Sequence, residues 1–273
     1  MSEFICPFCK KSLKRENGSL VCENNHCFDI AKEGYVHLLP ASKMHSRVPG
    51  DTKEMVNARR EFLHAGYYKL FSDKLNELVL RYAEDGCKIV DAGCGEGYYT
   101  ENIHACLKEH NIKAHISGFD ISKSAVRLAA KSNKEIEYAV ASIFDIPAAD
   151  GSADIVTNIF APIVEAEFYR IVKTSGVLII AVPGEYHLWE MKTLVYDDPY
   201  INEVKHTEYE GFEFVERVPV KGVIELSDNR QIRNLFSMTP YYWKTGFEGS
   251  RRISECQRLK TQIHFDFLIY KKI

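Results

Sequence analysis

The chain has 273 residues, of which 45% are hydrophobic and 27% charged, a composition typical of globular proteins and long enough for two unequal domains. The longest apolar run (176–182) is too short for a membrane span, and the N-terminus lacks the basic-then-apolar pattern of a secretory signal, so we expect a cytoplasmic protein. A net charge of −3 argues against a protein that coats nucleic acid by charge alone. The charge is uneven, because residues 1–60 hold ten basic and seven acidic residues, whereas the rest holds 25 basic and 31 acidic residues. This difference indicates either an anionic partner for the front segment or chance scatter of surface charge.

The first 40 residues contain short apolar pieces, turns and four of the eight cysteines, which favours a metal site over a set of disulfides. Cys6 and Cys9 are followed after twelve residues by Cys22, His26 and Cys27, and this spacing is typical of structural zinc. Four ligands are needed and five candidates are present. Neighbours in an extended chain face opposite sides, so either His26 or Cys27 completes the site, and spacing alone leaves that choice open. We predict a zinc-binding β module over residues 1–40, too small to fold on a core alone.

Residues 41–57 are polar around Pro49 and Gly50 and are predicted to form a linker, so that residues 58–273 form the larger domain. A helical pattern begins near Thr52 and continues to residue 85, with an apolar period close to 3.6 in its later half. From residue 87 onward, short apolar runs alternate with helical patterns. The predicted strands cover 87–93, 113–120, 136–142, 153–160 and 176–183, and the predicted helices cover 98–111, 122–133 and 165–173.

Repeated strand–helix units of this length predict an α/β fold with a mostly parallel sheet that is covered on both faces. The final segment, 262–272, alternates apolar and polar residues and is terminal. It suits an antiparallel strand added to that sheet.

A glycine loop, "VDAGCGEG" at 90–97, follows the first predicted strand of this series and precedes a helix. Gly93, Gly95 and Gly97 would let bare backbone approach a ligand. Asp120 ends the next strand, 23 positions after Gly97, where an acid can accept hydrogen bonds from both hydroxyls of a ribose. The strand before, the helix after and the downstream acid make this a nucleotide-cofactor site rather than an ordinary tight turn.

The acidic residues of the loop decide which cofactor it suits. Asp91 and Glu96 would repel the phosphates of a dinucleotide, and the glycine spacing also differs from Gly-x-Gly-x-x-Gly. S-adenosylmethionine carries an amine and a sulfonium, which an acidic loop favours. The stretches "DAGCGEG" and "GFDIS" resemble the first two motifs of class I methyltransferases, which implies a Rossmann-like methyltransferase domain behind the zinc module.

Longer stretches resemble one family in particular, the 23S ribosomal RNA guanine-N1 methyltransferases, which include tylosin-resistance enzymes. The matching stretches span residues 6 to 243 and are "CPFC", "CENNHCFDIAKEGYVHLLP", "PGDTKEMVNARREFLHAGYY", "VDAGCGEGYYT", "GFDISKSAV", "PGEYHLWEMK" and "MTPYYW". The resemblance implies that His26 is the fourth zinc ligand, although Cys27 stands where the family more often has another residue. It also implies cofactor contacts at Tyr68, at Gly95 to Gly97 and at His187, and a homodimer that presents a cleft to RNA.

Several of these residues have plainer interpretations that the sequence leaves open. Tyr68 is on a predicted amphipathic helix and suits a core edge, while His187 could simply begin a helix. The segment 239–243 suits core packing slightly better than base stacking. Arg59 and Arg60 either form a solvated helix face or contact phosphate.

The absence of two known motifs narrows the choice of the atom that is methylated. The segment 158–162 reads "NIFAP", without the Asn/Asp-Pro-Pro-aromatic motif of enzymes that methylate exocyclic amines. Neither Cys94 nor Cys256 stands in the Pro-Cys or Thr-Cys sequence that surrounds the nucleophile of pyrimidine C5 methyltransferases. A ring nitrogen therefore remains as the expected target. We therefore expect methylation of guanine N1 in a hairpin loop of 23S ribosomal RNA, with the proton acceptor unassigned. The alternatives are a small-molecule methyltransferase with a zinc-bearing lid and a non-catalytic zinc module that binds ribosomal RNA.

Overall fold

A computed structural model describes residues 1–44, 50–203 and 207–273. Within these ranges, no helix is long and apolar enough to cross a membrane. A three-stranded antiparallel sheet comprises β1 (Lys14–Glu16), β2 (Ser19–Val21) and β3 (Cys27–Asp29). An eight-stranded sheet comprises β4 (Val36–His37), β5 (Lys88–Ala92), β6 (His115–Asp120), β7 (Glu137–Val140), β8 (Ala153–Ile159), β9 (Val172–Pro183), β10 (Phe212–Leu226) and β11 (Leu259–Lys272).

The large sheet has the order β10-β11-β9-β8-β5-β6-β7-β4. Strands β4 to β9 pair in parallel, and β11 runs antiparallel to both β9 and β10. The predicted α/β class and the antiparallel C-terminal strand are confirmed. Strand β5 lies between β6 and β8, so chain order reverses beside it, which is where open α/β sheets bind ligands.

The helices are α1 (Lys53–His64), α2 (Lys69–Tyr82), α3 (Tyr98–Glu109), α4 (Lys123–Ser132), α5 (Glu165–Ile171), α6 (Trp189–Val195), α7 (Asn229–Ser237), α8 (Tyr241–Lys244) and α9 (Phe247–Glu255). A short 3-10 helix covers Ala41–Lys43. Helices α1–α4, α6, α7 and α9 contribute to the apolar cluster on one face of the sheet. Helix α5 contributes to the other cluster.

The single helical pattern predicted from Thr52 to residue 85 is two helices in the structure. The side chain of Thr52 caps α1 by accepting from the Met55 amide at 3.3 Å. The break falls at Gly66, whose φ of +85° is a left-handed conformation that ends a helix. After this interruption Tyr68, the N-cap residue of α2, lines a cavity at the carboxyl ends of the strands.

The N-terminal module packs directly against the large sheet. Its Phe4, Leu13 and Leu20 belong to the same buried cluster as Val90 of β5 and Phe168 of α5. It therefore fills part of the sheet face that α5 leaves uncovered, and it buries apolar area that would otherwise meet water.

Polar contacts reinforce this docking. The Ile5 amide donates to the Pro147 carbonyl at 2.9 Å, and Lys10 pairs with Asp145 at 2.5 Å. Strand β4, inside the range predicted for the zinc module, pairs with β7 at the edge of the large sheet. Residues 45–49 of the predicted linker lie outside the described residues, so the division at residues 40 and 57 stays a prediction.

Candidate active site and metal centre

The turns that flank β1–β3 bring Cys6, Cys9, Cys22 and His26 together. Their ligand atoms all lie within 4.8 Å of one another. His26 Nδ1 is 3.4 Å from Cys6 Sγ and 3.3 Å from Cys22 Sγ, and the Sγ atoms of Cys9 and Cys22 are 3.6 Å apart. Cys27 begins β3 and is exposed. The structure thus brings His26, and not Cys27, to the other three cysteines.

The spacing of this cluster fits zinc. A tetrahedral site with Zn–S bonds of about 2.3 Å has edges of about 3.8 Å, slightly shorter where nitrogen replaces sulfur. The observed separations lie in that range. The Lys11 amide, with smaller contributions from the other ligands, lowers the pKa of Cys9 to about 6, which favours the thiolate that metal binding requires. Three cysteines and a histidine form a usual donor set for a structural zinc ion.

The glycine loop joins β5 to α3. The sequence predicted that its glycines let a ligand approach the backbone, and the structure gives a different reason for two of them. A side chain at Gly93 would come within 2.5 Å of the Ala161 Cβ, and one at Gly97 within 2.8 Å of the Ala129 Cβ. These two glycines are therefore required by packing against the protein. Only Gly95, with φ of +57°, has open space where its side chain would be. Gly93 and Gly95 line the adjoining cavity, whereas Gly97 does not.

Asp91 and Asp120 lie at the carboxyl ends of neighbouring strands. Asp91 accepts from the hydroxyls of Thr100 at 2.5 Å and Thr157 at 3.0 Å, and burial raises its pKa to about 6 against the effect of these bonds. Asp120 accepts from the amides of Gly95 at 3.1 Å and Ser122 at 2.7 Å. Burial also raises the pKa of Asp120, with the two amides acting against it. The sequence predicted the position of both acids but not the threonines that hold Asp91.

Glu96 is the second acid of the loop, and it is 3% exposed. Its Oε2 lies 3.4 Å from Arg60 and 3.5 Å from His64, both on α1. Its Oε1 is buried without a hydrogen-bond partner among the described residues. Burial raises the pKa of Glu96, although His64 and Arg60 act to lower it. Arg60 pairs with Glu96, and Arg59 pairs with Asp51. Neither arginine therefore lies on a helix face that contacts solvent alone.

A cavity of about 840 Å³ opens at the carboxyl ends of β5, β6 and β8, and these three acids line it. The residues fit S-adenosylmethionine on two observations. The unpartnered Glu96 Oε1 needs a donor, and the ammonium of the cofactor is one. The carboxylate of Asp120 has lone pairs beyond its two amide bonds, which ribose hydroxyls could fill.

Tyr68 and His187 line the same cavity. Tyr68 is 2% exposed and packs edge-on against Phe62 and Phe265, so it is a core residue as well as a lining residue. His187 follows β9, and burial, together with the Lys192 charge, lowers its pKa to about 3. Its Nδ1 accepts from the His264 amide at 3.3 Å, so the neutral ring carries its proton on Nε2.

Several aromatic side chains outside the glycine loop also line the cavity. Trp243 is 68% exposed, Tyr200 49% and Phe160 46%, whereas Tyr241 is buried beside them. Within the segment 239–243, Tyr241 is therefore a core residue, as one interpretation of the sequence expected. Trp243 is exposed, as the alternative of base stacking requires. Tyr200 was not singled out in the sequence, because it belongs to no recognisable motif. Phe160 lies in the segment 158–162, where the sequence showed only that an amine-type motif is absent.

Two families match this chain. The family described as "RlmA, N-terminal", a zinc ribbon, matches residues 4–47, and that described as "Methyltransferase domain" matches residues 83–222, slightly more than half of the chain. These matches confirm the predicted class of fold, the methyltransferase cofactor and the structural zinc.

Among relatives, the "23S rRNA (guanine(748)-N(1))-methyltransferase" of Streptomyces fradiae is 35% identical over 68% of this chain and 65% of its own length. Two others have names beginning "Putative 23S rRNA (guanine-N(1)-)-methyltransferase". That of Micromonospora griseorubida is 34% identical over 68% of this chain and 67% of its own length. That of Bacillus subtilis is 29% identical over 99% of this chain and 98% of its own length. With the zinc ribbon and the acidic cofactor loop on one chain, the protein belongs to the family of 23S ribosomal RNA (guanine-N1)-methyltransferases.

Proposed function

We propose that this protein transfers the methyl group of S-adenosylmethionine to N1 of a guanine in 23S ribosomal RNA. The observation that carries the proposal is the lining of one cavity, which combines the acids at and beside the glycine loop with the exposed aromatic rings of Phe160, Tyr200 and Trp243. Such a cavity suits a cationic cofactor beside a planar base.

At the acidic end, Asp120 would bind the ribose. The loop at Gly93 and Gly95, with Asp91 and Glu96, would face the cationic part of the cofactor. Tyr68 and His187 would complete this side of the site. When bound, the cofactor supplies an activated methyl group on its sulfonium. The task of the protein is therefore to position the base and the cofactor in line and to exclude other nucleophiles.

At the aromatic end, the rings would stack on a base that has left its helix. Guanine N1 must lose a proton during the transfer. Among the described lining residues, the carboxylates stand around the glycine loop and Asp51, and none stands on the aromatic wall. We infer that water at the cavity mouth takes this proton.

The zinc module would bind the RNA outside the cavity. Lys14 and Arg15 are exposed on β1. Phe8 is 60% exposed and lies 5.2 Å from the ring of His26. A hairpin loop is the expected target, because duplex RNA hides its base edges and an unpaired base is easier to extrude. Cytoplasmic location and the homodimer implied by the family resemblance remain parts of this proposal.

The test is methyl transfer from labelled S-adenosylmethionine to a 23S ribosomal RNA transcript. Transfer to RNA and none to free metabolites supports the proposal. Labelled metabolites with unlabelled RNA would favour a small-molecule enzyme, and RNA binding without any transfer would favour a non-catalytic module.

The contribution of the module is tested by substitution rather than deletion, because deletion would uncover the sheet face on which it packs. Replacing both Lys14 and Arg15 by alanine should raise the KM for RNA and leave S-adenosylmethionine binding intact. The matched control replaces Lys113 and Lys131, two exposed lysines of the body, by alanine. Equal KM values for the two double variants would exclude this surface of the module from RNA binding.

A further inference from the structure

Lys192 of α6 is a fully buried lysine. Its ammonium donates to the Tyr200 carbonyl at 2.9 Å and to Asn202 Oδ1 at 2.5 Å, and no described carboxylate lies within ion-pair distance. Burial lowers its pKa. A buried ammonium without a counter-ion is unfavourable, and an apolar side chain of similar volume is usually as stable or more so. Fold stability alone therefore does not explain a lysine at this position.

The two acceptors of Lys192 belong to the segment that follows α6. Asn202 ties this segment to the turn after β9, because its Nδ2 donates to the Gly184 carbonyl at 2.7 Å and its amide donates to the Glu185 carbonyl at 2.9 Å. His187 lies on the same turn. Lys192 thus holds a loop without regular structure against the turn that carries a cavity residue.

Tyr200 and Asn202 of this loop both line the cavity, and Tyr200 contributes an aromatic ring. The Lys192 ammonium lies 4.4 Å from the ring centroid of Tyr200 and 5.6 Å from that of Tyr241. The side chain of Tyr200 is 49% exposed and lines the cavity. The ring of Tyr196 also lies near, with its centroid 5.9 Å away at an interplanar angle of 34°. The exposed part of the Tyr200 ring is the part that a planar ligand could contact.

We propose that Tyr200, backed by Lys192, is the platform on which the target guanine stacks. The inference rests on the proposed function, since it needs a base in the cavity. Lys192 is a positioning residue, because it acts through the ring and the loop rather than by touching the base. Its positive charge also favours a guanine that has lost the N1 proton, because that form carries negative charge on the stacked ring.

A second lysine–tyrosine pair in the chain provides a matched control. Lys272 lies 4.1 Å from the ring centroid of Tyr169 and donates to the Tyr169 carbonyl at 2.5 Å. Tyr169 is 43% exposed but does not line the cavity. The control pair therefore reproduces the local contact without the proposed role.

The experiment measures kcat and KM for a 23S ribosomal RNA transcript in Y200A, Y200F, K192M and the K192M/Y200A double variant, with Y169A and K272M as controls. Y200A should reduce kcat/KM by about 5- to 150-fold, the effect of losing one base–aromatic stack. Y200F keeps the ring and should recover most of that loss. K192M alone should also reduce kcat/KM. In the double variant, K192M should lower kcat/KM by less than about twofold relative to Y200A, because the effects of coupled residues are not additive.

Calorimetry with S-adenosylhomocysteine separates this role from a structural one, because cofactor affinity should change by less than about twofold in Y200A. The platform is contradicted if Y200A matches Y169A, or if K192M and Y200A are additive. If K192M does not fold, the comparison of Y200A with Y200F decides alone. A wild-type protein that transfers no methyl group to RNA would overturn the proposed function itself, whereas normal transfer by Y200A would overturn only the platform.

Discussion

Asp91, Glu96 and Asp120 differ in how many of their carboxylate oxygens already accept a hydrogen bond from the protein. Both oxygens of Asp91 accept from threonine hydroxyls, and each oxygen of Asp120 accepts from one backbone amide. One oxygen of Glu96 has no partner among the described residues. The oxygens of Asp91 and Asp120 each keep a second lone pair. Asp91 is only 2% exposed and therefore contributes mainly charge, whereas Asp120 is partly exposed and can accept from a ligand.

Replacing Asp120 by alanine should weaken S-adenosylmethionine binding by roughly 1–3 kcal/mol, because the ribose hydroxyls lose their acceptor and the Gly95 and Ser122 amides are left unpaired. Isothermal titration calorimetry measures this directly. Asp73→Ala is the control, since Asp73 pairs with Lys69 on the exposed side of α2. Equal affinity in the two variants would remove Asp120 from the cofactor site.

Cofactor affinity should also depend on pH. The pKa of Asp91 is raised to about 6, so the carboxylate is charged above that value and takes up a proton below it. The ammonium group of the ligand favours the charged form. The affinity for S-adenosylhomocysteine should therefore fall as pH drops from 7 to 5, by at most about tenfold per unit for one proton. His187 stays neutral throughout, because its pKa is lowered to about 3.

Calorimetry between pH 5 and 8 tests this expectation. Asp91→Asn should bind more weakly at pH 8 and show a flatter profile. A wild-type affinity that is constant over this range would contradict a charged Asp91 beside the ligand.

At the scale of elements, the parallel strands were predictable because buried strands appear as continuous apolar runs between helical patterns. Strand β10 was missed because Pro219, Gly222 and a bulge between Phe214 and Glu216 interrupt its alternation. It forms nevertheless, because it is an edge strand that pairs along its length with β11.

The candidate site was predictable where a motif carries it, as in the glycine loop and the cysteine pairs. It was not predictable where distant elements meet. Arg60 and His64 reach Glu96 from another helix, and Lys192 reaches Tyr200 across a loop. Such contacts depend on the three-dimensional packing and have no local spacing rule.

The zinc module makes a prediction about its ligands. Metal analysis should give about one zinc per chain, as expected for four ligands. His26→Ala should lose most of this zinc and lower the melting temperature of the whole protein, because the module shares apolar packing with the sheet and depends on its metal to fold. Cys27→Ser should leave both unchanged. The reverse result for the two variants would make Cys27 the fourth ligand.

The glycine loop makes a prediction that separates packing from ligand contact. Gly97→Ala should destabilise the fold by roughly 1–2 kcal/mol for its left-handed backbone and a further 1–3 kcal/mol for the clash with Ala129. Gly95→Ala has the backbone cost alone and should mainly weaken cofactor binding. Thermal melts and calorimetry measure the two effects. Equal destabilisation by both substitutions would contradict the assignment.

At the scale of the whole molecule, we propose that the basic residues of the front segment and the acidic residues of the cofactor loop serve different ligands. The module is fixed to the sheet by shared core and by Lys10 and Lys43 on Asp145. A rigid arrangement would let contacts at the module set which base reaches the cavity. Because few basic residues contribute, RNA affinity should show a moderate salt dependence.

The most direct test is to map where the methyl group goes. The wild-type protein is incubated with S-adenosylmethionine and unmodified 23S ribosomal RNA, and the product is analysed by nuclease digestion, mass spectrometry and reverse transcription. We expect 1-methylguanosine at one loop guanine, with a matching stop in reverse transcription because N1 lies on the pairing edge. A methyl group on an exocyclic amine, on a pyrimidine carbon or only on small molecules would contradict the account.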